Sequence, residues 1–534
     1  MSNKQKIILP PAHPMEKPIV FDDLMQIGKY SILIMVFIEF VLLAAAGNMM
    51  MMVYAGAAPK SVSCEGDDFV FENVCSDSEI SPQIFAEEKN CTLTSQFYFE
   101  SVNVYWGYFC KDGEYVKRSI SFQMFGMLIG TFLAGNLSDR YGRLRVMSVS
   151  LIFSSIFAVA SLFTNSLESF TFVRIWVLFF NGGLMATFNV YLMEHMPHKY
   201  RFWVATIISW APNFTIIAIL AWLTQDWRLL QMVHSFCIIP AFIIILAMRE
   251  SPRWLIQRGR IFEARRILDR MLKYNNVSDE VYAKMHNLLD SEYRKQMDRP
   301  NKVYDMRKLF SRKKMSIATA ILCLGKLFTS LVNYGLVFNI DRVSGSIYTN
   351  AIITGCLRWV TNIVVGVVDH HVEFFGRKII HFLSQFLIAV CMAVIAGVII
   401  YGVDSKFSDV VRVATLAATI ITSQVFITKS IVTIEYYPTL VRNSAMALSS
   451  TCSRMGSIIA PLIFYFTDIP FIPYLILSIA ALADAILFQI VLPETKGKHL
   501  PDRMPSKKWK PVERPTTLAE LEELSPPGQA ITER

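Results

Sequence analysis

Charged side chains are scarce in this sequence. Only 18% of its 534 residues are Asp, Glu, Lys or Arg, where a soluble globular chain carries about a quarter. With 53% apolar residues, the chain needs an apolar solvent, which excludes an ordinary soluble domain. A short apolar leader with a small-residue cleavage site is also missing. Residues 1–28 are polar and Pro-containing, so no cleaved signal peptide is expected, and the first apolar run should act as the insertion signal. There is no glycine-rich phosphate loop ending in Lys-Ser/Thr, which argues against ATP-driven work. No Ser-His-Asp set and no metal-ligand cluster is recognisable, so neither an enzyme nor a cofactor is expected.

What the sequence has instead is long apolar runs such as Tyr30–Tyr54, Val204–Leu223 and Phe471–Leu492. Each can span a hydrocarbon layer of roughly 30 Å, which takes about 20 helical residues. The runs are continuously apolar rather than alternating, so of the two structures that satisfy their backbone in lipid, helices are indicated over a barrel. The pattern predicts an all-α membrane protein with twelve spans, at 30–54, 119–137, 146–163, 170–191, 202–223, 228–248, 315–338, 347–368, 379–401, 409–434, 444–466 and 470–492.

Two polar segments interrupt them, and their charges differ. Segment 58–117 has 11 acidic against 4 basic residues, and segment 249–314 has 18 basic against 9 acidic. Basic residues near spans favour the cytoplasm. The expected topology therefore puts both termini and 249–314 inside and 58–117 outside, in the plasma membrane. The overall charge of +9 then needs no nucleic-acid partner, since topology and contact with anionic lipid headgroups account for it. The outer segment holds Cys64, Cys75, Cys91 and Cys110, an even number that suggests two disulfides with three pairings open. Asn90-Cys91-Thr92 is a glycosylation acceptor there. Asn136, Asn213 and Asn276 also head such triplets, but fall in a span or inside and should go unused.

Loop charges repeat between the halves. Gly142-Arg143, then Glu194 with Arg201, then Glu250-Ser251-Pro252-Arg253 follow spans two, four and six. Gly376-Arg377, then Glu435 with Arg442, then Pro493-Glu494-Thr495 follow spans eight, ten and twelve. Three matches in order imply a duplicated six-span unit, a plan suited to alternating access around a midplane site. The domains expected are a cytoplasmic N-terminus 1–29, a first bundle 30–248, a basic loop 249–314, a second bundle 315–492 and a cytoplasmic tail 493–534. Within the basic loop, Ile261, Ala264, Ile267, Leu268 and Leu272 recur at helical spacing and predict an amphipathic helix.

These motifs resemble a known family. Gly135-Asn136-Leu137-Ser138-Asp139-Arg140-Tyr141-Gly142-Arg143 is similar to the major facilitator motif between spans two and three. Glu250-Ser251-Pro252-Arg253-Trp254-Leu255, Glu435-Tyr436-Tyr437-Pro438-Thr439 with Arg442-Asn443, and Leu492-Pro493-Glu494-Thr495-Lys496-Gly497-Lys498 resemble the organic ion transporters of that superfamily. The resemblance implies two pseudo-symmetric six-helix bundles and secondary or facilitative transport of small organic ions, with a coupling ion or counter-substrate left open. It also implies that Asp139, Arg140, Arg143, Glu194, Arg201, Glu250, Arg253, Glu435 and Arg442 form a conformational latch, paired across the halves when the inside is closed. One departure is visible in loop 369–377. Phe374 stands where the family has an Arg, and Glu373 is expected to fill the acidic place, so the second-half latch should be weaker.

Ionisable residues at membrane depth are expensive and usually functional. Glu39, Lys326, Arg358, Lys429, Arg454 and Asp484 qualify, and the four basic ones all lie in the second half. Arg174 is expected near an interface, where it could snorkel to water. A positive cavity attracts anions. In the resembling family the place of Arg454 is typically Arg in carriers of anions and carnitine-like zwitterions, and Asp in cation carriers. Arg454, Arg358, Lys429 and Lys326 are thus candidate substrate ligands. Internal pairing with Glu39 or Asp484 is the structural alternative for the lysines. Tyr334, Trp210, Phe426 and Trp359 are candidate aromatic walls. An organic cation carrier using Glu39, or a receptor on the same fold, stays open. The Met49–Met52 run reads as packing.

Overall fold

In the computed structural model, the described residues are 27–57, 61–64, 70–72, 93–97, 99–108, 112–197, 204, 206–275, 282–290, 309–340, 343–372, 374–403, 406–437, 439–464 and 469–496. Arg201, Asn90, Cys75, Cys91, Cys110 and Glu373 lie outside them, and so does the side chain of Cys64.

Twelve helices correspond to the twelve expected runs. In the first half they are α1 (Lys29–Ala55), α2 (Gly113–Tyr141), α3 (Arg143–Ala160), α4 (Leu167–His195), α5 (Trp210–Thr224) and α6 (Trp227–Ile244). In the second half they are α7 (Lys313–Val337), α8 (Ile347–His371), α9 (Arg377–Ile400), α10 (Ser408–Tyr436), α11 (Thr439–Ile463) and α12 (Ile472–Val491). Among the described residues ten are long and apolar enough to cross a membrane. The other two have physical reasons for falling short. Helix α5 has 15 residues because the chain is extended at Ser209 (φ −140°); Val204, Thr206 and Ile207 before it are helical, so the expected run is interrupted at Ser209. Helix α11 is long enough at 25 residues, but it carries Arg442 and Arg454 among several Ser and Thr.

Local chemistry sets the helix ends. Ser166 and Ser169 form a capping box at the start of α4. Asp226 accepts from the Leu229 backbone at 2.7 Å to start α6. Helix α6 breaks at Ile238, beside Pro240, which has no N–H to continue the ladder. The basic loop contains the expected amphipathic helix, Ile261–Tyr274, with Ile261, Ala264, Leu268, Met271 and Leu272 buried. One feature lay outside the all-helical expectation. Residues of the 58–117 segment form a small antiparallel sheet, with β1 (Ser61–Cys64) between β2 (Val70–Glu72) and β3 (Leu93–Gln96).

The apolar cores show how the halves meet. The side from which 58–117 emerges is here the loop side, and the side of the repeated charged motifs is the motif side. One buried cluster joins the halves toward the loop side. It includes Met49–Ala55 of α1, Val116 and Ile120 of α2, Leu336 and Val337 of α7 and Ile347 of α8. Toward the motif side each half keeps its own cluster, one around Ile34, Leu184 and Met248 and another around Met315, Val441 and Leu492. The halves are joined at the loop side and part at the motif side.

Candidate functional site

On the motif side the two halves build the same clamp from the same residue types. Arg143 opens α3 directly after Gly142, whose φ of +114° favours glycine. Glu250 accepts from the backbone N–H of Arg143 at 2.9 Å and of Leu144 at 3.1 Å. Its carboxylate thus sits on the N-terminus of α3, where the free N–H groups and the helix dipole favour a negative charge. The Arg143 guanidinium meets Asp139 at 2.7 Å and Glu194 at 3.4 Å. Arg253 donates to the Glu194 carbonyl at 2.9 Å. In the second half Glu494 accepts from the backbone of Arg377 at 2.9 Å and Lys378 at 3.0 Å. The Arg377 guanidinium meets Asp369 at 2.5 Å and Glu435 at 3.3 Å. Asp369 thus supplies an acidic partner to Arg377, and the expected Glu373 lies outside the described residues.

Both clamps close within their own half. Arg140 is exposed and lies over the Tyr141 ring at 5.5 Å. Phe374 is exposed. Arg442 donates to the Tyr437 carbonyl at 3.3 Å. Glu494 shows the electrostatics of the clamp outside the spans. Burial raises its carboxyl, but four backbone N–H groups, from Lys496, Lys378, Arg377 and Thr495, outweigh that and hold it below the usual carboxylate value.

The loop side is sealed by contacts between halves. Lys117 donates to the Phe338 carbonyl at 2.8 Å, and Ser121 to the Ile458 carbonyl at 3.0 Å. Tyr54 stacks on Tyr348 with ring centroids 6.2 Å apart. Tyr334 is buried, stacks on Phe338 and donates to the Met49 sulfur at 3.9 Å. Closer to mid-depth, Gly355 of α8 packs on α5, where a Cβ would stand 3.0 Å from the Thr215 nitrogen.

The charges at membrane depth fall into distinct environments. Lys429 and Asp484 are wholly buried and paired at 2.5 Å. Lys429 also donates to the Gly325 carbonyl at 2.5 Å and to Thr329 at 2.7 Å. Gln385 and His381 complete the surround of Asp484. The Lys429 charge is therefore answered inside the second bundle, as the structural alternative has it. Lys326 donates to the Phe426 carbonyl at 3.1 Å and Ser430 at 2.7 Å, and its ammonium is 5.2 Å from the Phe426 ring centre. Arg358 donates to the Thr419 carbonyl at 2.8 Å, to Asn333 and to Thr422, and faces the Phe214 ring of α5 at 5.9 Å.

Arg454 differs from these. Its guanidinium crosses from α11 to the sulfur of Met127 in α2 at 3.8 Å, a weak acceptor, and its Nε is buried without a partner. No carboxylate among the described residues pairs with it, and its charge adds to those of Lys429 and Lys326. In the first half, Glu39 is half-buried and accepts from Asn213 at 2.7 Å. Trp210 is half-buried at the start of α5, packed against the cluster that joins the halves and against the first half's motif-side cluster. Trp359 is exposed.

Some residues escaped the sequence reading. Arg174 does not snorkel. It is wholly buried, donating to Gln123 at 3.3 Å, to Gln231 at 3.4 Å and to the Asn48 carbonyl. Asn213, noted only as an unused glycosylation triplet, holds Glu39. Lys117, at the end of a charged segment, bridges the halves. No sequence signal separates these from neighbours of the same type.

The sequence profile of the sugar (and other) transporter family matches residues 90–503. The chain belongs to that family. It is a multi-pass membrane transporter of the two-half plan and not an enzyme. It is 28% identical over 410 residues to solute carrier family 22 member 16 of Xenopus laevis, covering 76% of this chain and 70% of that one. It is 26% identical over 441 residues to organic cation/carnitine transporter 2 of Rattus norvegicus, covering 78% and 74%. Its fold matches the xylose transporter XylE of E. coli in an inward open conformation, with TM-score 0.59, 15% identity and coverage of 88% and 98%.

Proposed function

We propose that this transporter moves small organic ions by alternating access, and that it favours organic anions or carnitine-like zwitterions whose carboxylate is received by Arg454. The observation that carries the proposal is the state of the Arg454 guanidinium. It lies at the seam between the halves with a sulfur partner and an orphaned Nε, while Lys429 is spent on Asp484. A planar guanidinium is the donor best matched to a carboxylate. Lys326, with the Phe426 ring beside it, and Arg358 add positive potential, and Trp210 and Tyr334 are the further aromatic surfaces of the proposed site.

The alternating-access reading rests on the two seams. The loop side is held by Lys117, Ser121 and the Tyr54–Tyr348 stack, and the motif-side clamps are closed within each half. With the termini and motif side cytoplasmic and the protein in the plasma membrane, this is an inward-facing arrangement. In the opposite arrangement Asp139, Arg140 and Arg442, with Arg201, would pair across the halves. Cross-half pairs matter only when desolvated, because exposed ones contribute about 0–1 kcal/mol.

The half-buried Glu39 favours a second reading, an organic cation carrier. A proteoliposome uptake panel of radiolabelled carboxylates, zwitterions and quaternary amines separates the two. Carboxylate uptake that collapses in Arg454→Ala supports the proposal. Uptake of amines alone, indifferent to Arg454→Ala, contradicts it, and uptake of none by correctly folded protein would point to a receptor.

A further inference from the structure

Among the described residues Cys237, Cys323, Cys356, Cys391 and Cys452 are free thiols. Three of them have ordinary surroundings. Cys356 touches Thr215 at 3.9 Å, Cys391 belongs to the apolar cluster that joins the halves, and Cys237 packs against that cluster. Cys323 of α7 and Cys452 of α11 differ, because their thiols hydrogen-bond to each other.

The packing of α7 on α11 dictates this meeting. Both helices run from the motif side, where Met315 and Val441 share a cluster, to the loop side, where Leu331 and Ala460 share another. They approach to backbone contact at Gly456, where a Cβ would collide with the Leu327 carbonyl and stand 2.9 Å from the Ser330 Cβ. Cys452 precedes Gly456 by four residues, and Cys323 precedes Leu327 by four. On parallel helices the two cysteines therefore face each other one turn nearer the motif side. Close packing asks for small side chains, as Gly456 supplies, but not for two thiols in register. Backbones this close also bring the Cα atoms toward the span of about 4.4–6.8 Å that a disulfide bridges.

The surroundings are polar and positive. Thr319, Cys323, Lys326 and Ser330 recur on one face of α7, away from the exposed Ile317 and Leu324. Lys326 follows Cys323 by one turn, and Arg454 follows Cys452 by two residues. Positive neighbours favour the thiolate, the reactive form of a cysteine. Both thiols are half-buried rather than enclosed, so a small oxidant can reach them.

We infer that Cys323 and Cys452 are a reversible redox modification site, oxidised by a hydroperoxide to a disulfide that fixes α7 to α11. One thiolate attacks a peroxide oxygen, the O–O bond breaks, water leaves and a sulfenic acid forms. The second thiolate attacks that sulfur, the S–O bond breaks, the S–S bond forms and a second water leaves. With hydrogen peroxide, the two thiols give up two electrons and two protons, and the peroxide becomes two waters. A thiol reductant reverses the bond by exchange. The disulfide ties the helix that carries Tyr334 to Met49 to the helix that carries Arg454 to Met127. The two helices would then leave the seam between the halves only together, whichever ion the carrier moves.

Peptide mapping of the full chain in detergent tests the site. After hydrogen peroxide and then N-ethylmaleimide, a linked Cys323–Cys452 peptide should appear, lighter by two hydrogens than the two free peptides combined. It should form at a dose that leaves Cys356 and Cys391 open to the maleimide. The melting temperature should rise with it, since the cross-link constrains the unfolded chain, and dithiothreitol should reverse both changes. Cys323→Ser should lose the linked peptide and the rise, and leave Cys452 trapped by dimedone as its sulfenic acid. The wild-type map needs no variant to fold. Cys323 and Cys452 that both stay open to the maleimide after peroxide overturn the inference. So does a linked peptide with no rise in melting temperature, because the bond then does not hold the two helices.

Discussion

The halves of this transporter agree at the motif side and disagree at membrane depth. Each ends its even-numbered spans with the same clamp: a carboxylate on a helix N-terminus, Glu250 or Glu494, and an arginine, Arg143 or Arg377, between two acidic groups. At depth the first half keeps one enclosed arginine among neutral dipoles and one open carboxylate. The second keeps an enclosed Lys429–Asp484 pair and an open arginine. Duplication accounts for the shared clamp, which holds each bundle together. The depth charges are where the halves have taken different tasks.

The largest expected effect breaks the second bundle and spares the first. Lys429→Met leaves Asp484 buried without its ammonium, and should cost about 3–5 kcal/mol. Thermal unfolding in detergent reads the loss, and adding Asp484→Asn should recover most of it. Arg174→Met removes a charge held only by neutral acceptors, so it should cost less, about 1–3 kcal/mol. Equal losses would mean that the two enclosed charges are not held differently.

The clamps should respond alike. Glu250→Gln and Glu494→Gln each weaken several backbone hydrogen bonds and should lower stability by a similar amount, about 1–3 kcal/mol. A variant tolerated in one half alone would break the repeat. The smallest effect is on pH dependence. Because the Glu494 carboxyl is held below its usual value of 4.5, its contribution is present above that value and is lost as acid protonates the folded form. Wild-type protein should therefore lose stability below the ordinary carboxylate range more steeply than Glu494→Gln.

The spans and the repeat were legible in the sequence because long apolar runs and loop charges are dictated by the bilayer itself. The boundaries of α1, α7 and α10 fell within a residue or two of expectation. The break inside the fifth run was not legible, since an extended residue at Ser209 separates the helical Val204, Thr206 and Ile207 from α5. The open or enclosed state of each depth charge was not legible. Lys429 and Lys326 occupy adjacent turns of packed helices and have the same side chain, yet only Lys429 finds Asp484. That outcome depends on the rotation of α10 and α12, which no local pattern encodes. Asn213 and Gln123 carry no signal of their own, and gain meaning only from the Glu39 and Arg174 they hold.

The most direct test of the central claim is to reverse the sign of Arg454. Arg454→Asp should be reconstituted and assayed for uptake of a simple carboxylate and of a quaternary amine. The charge-divided site predicts that carboxylate uptake falls by about 100-fold, as loss of a charge-assisted contact allows, and that amine uptake rises. Carboxylate uptake that survives Arg454→Asp unchanged would contradict it.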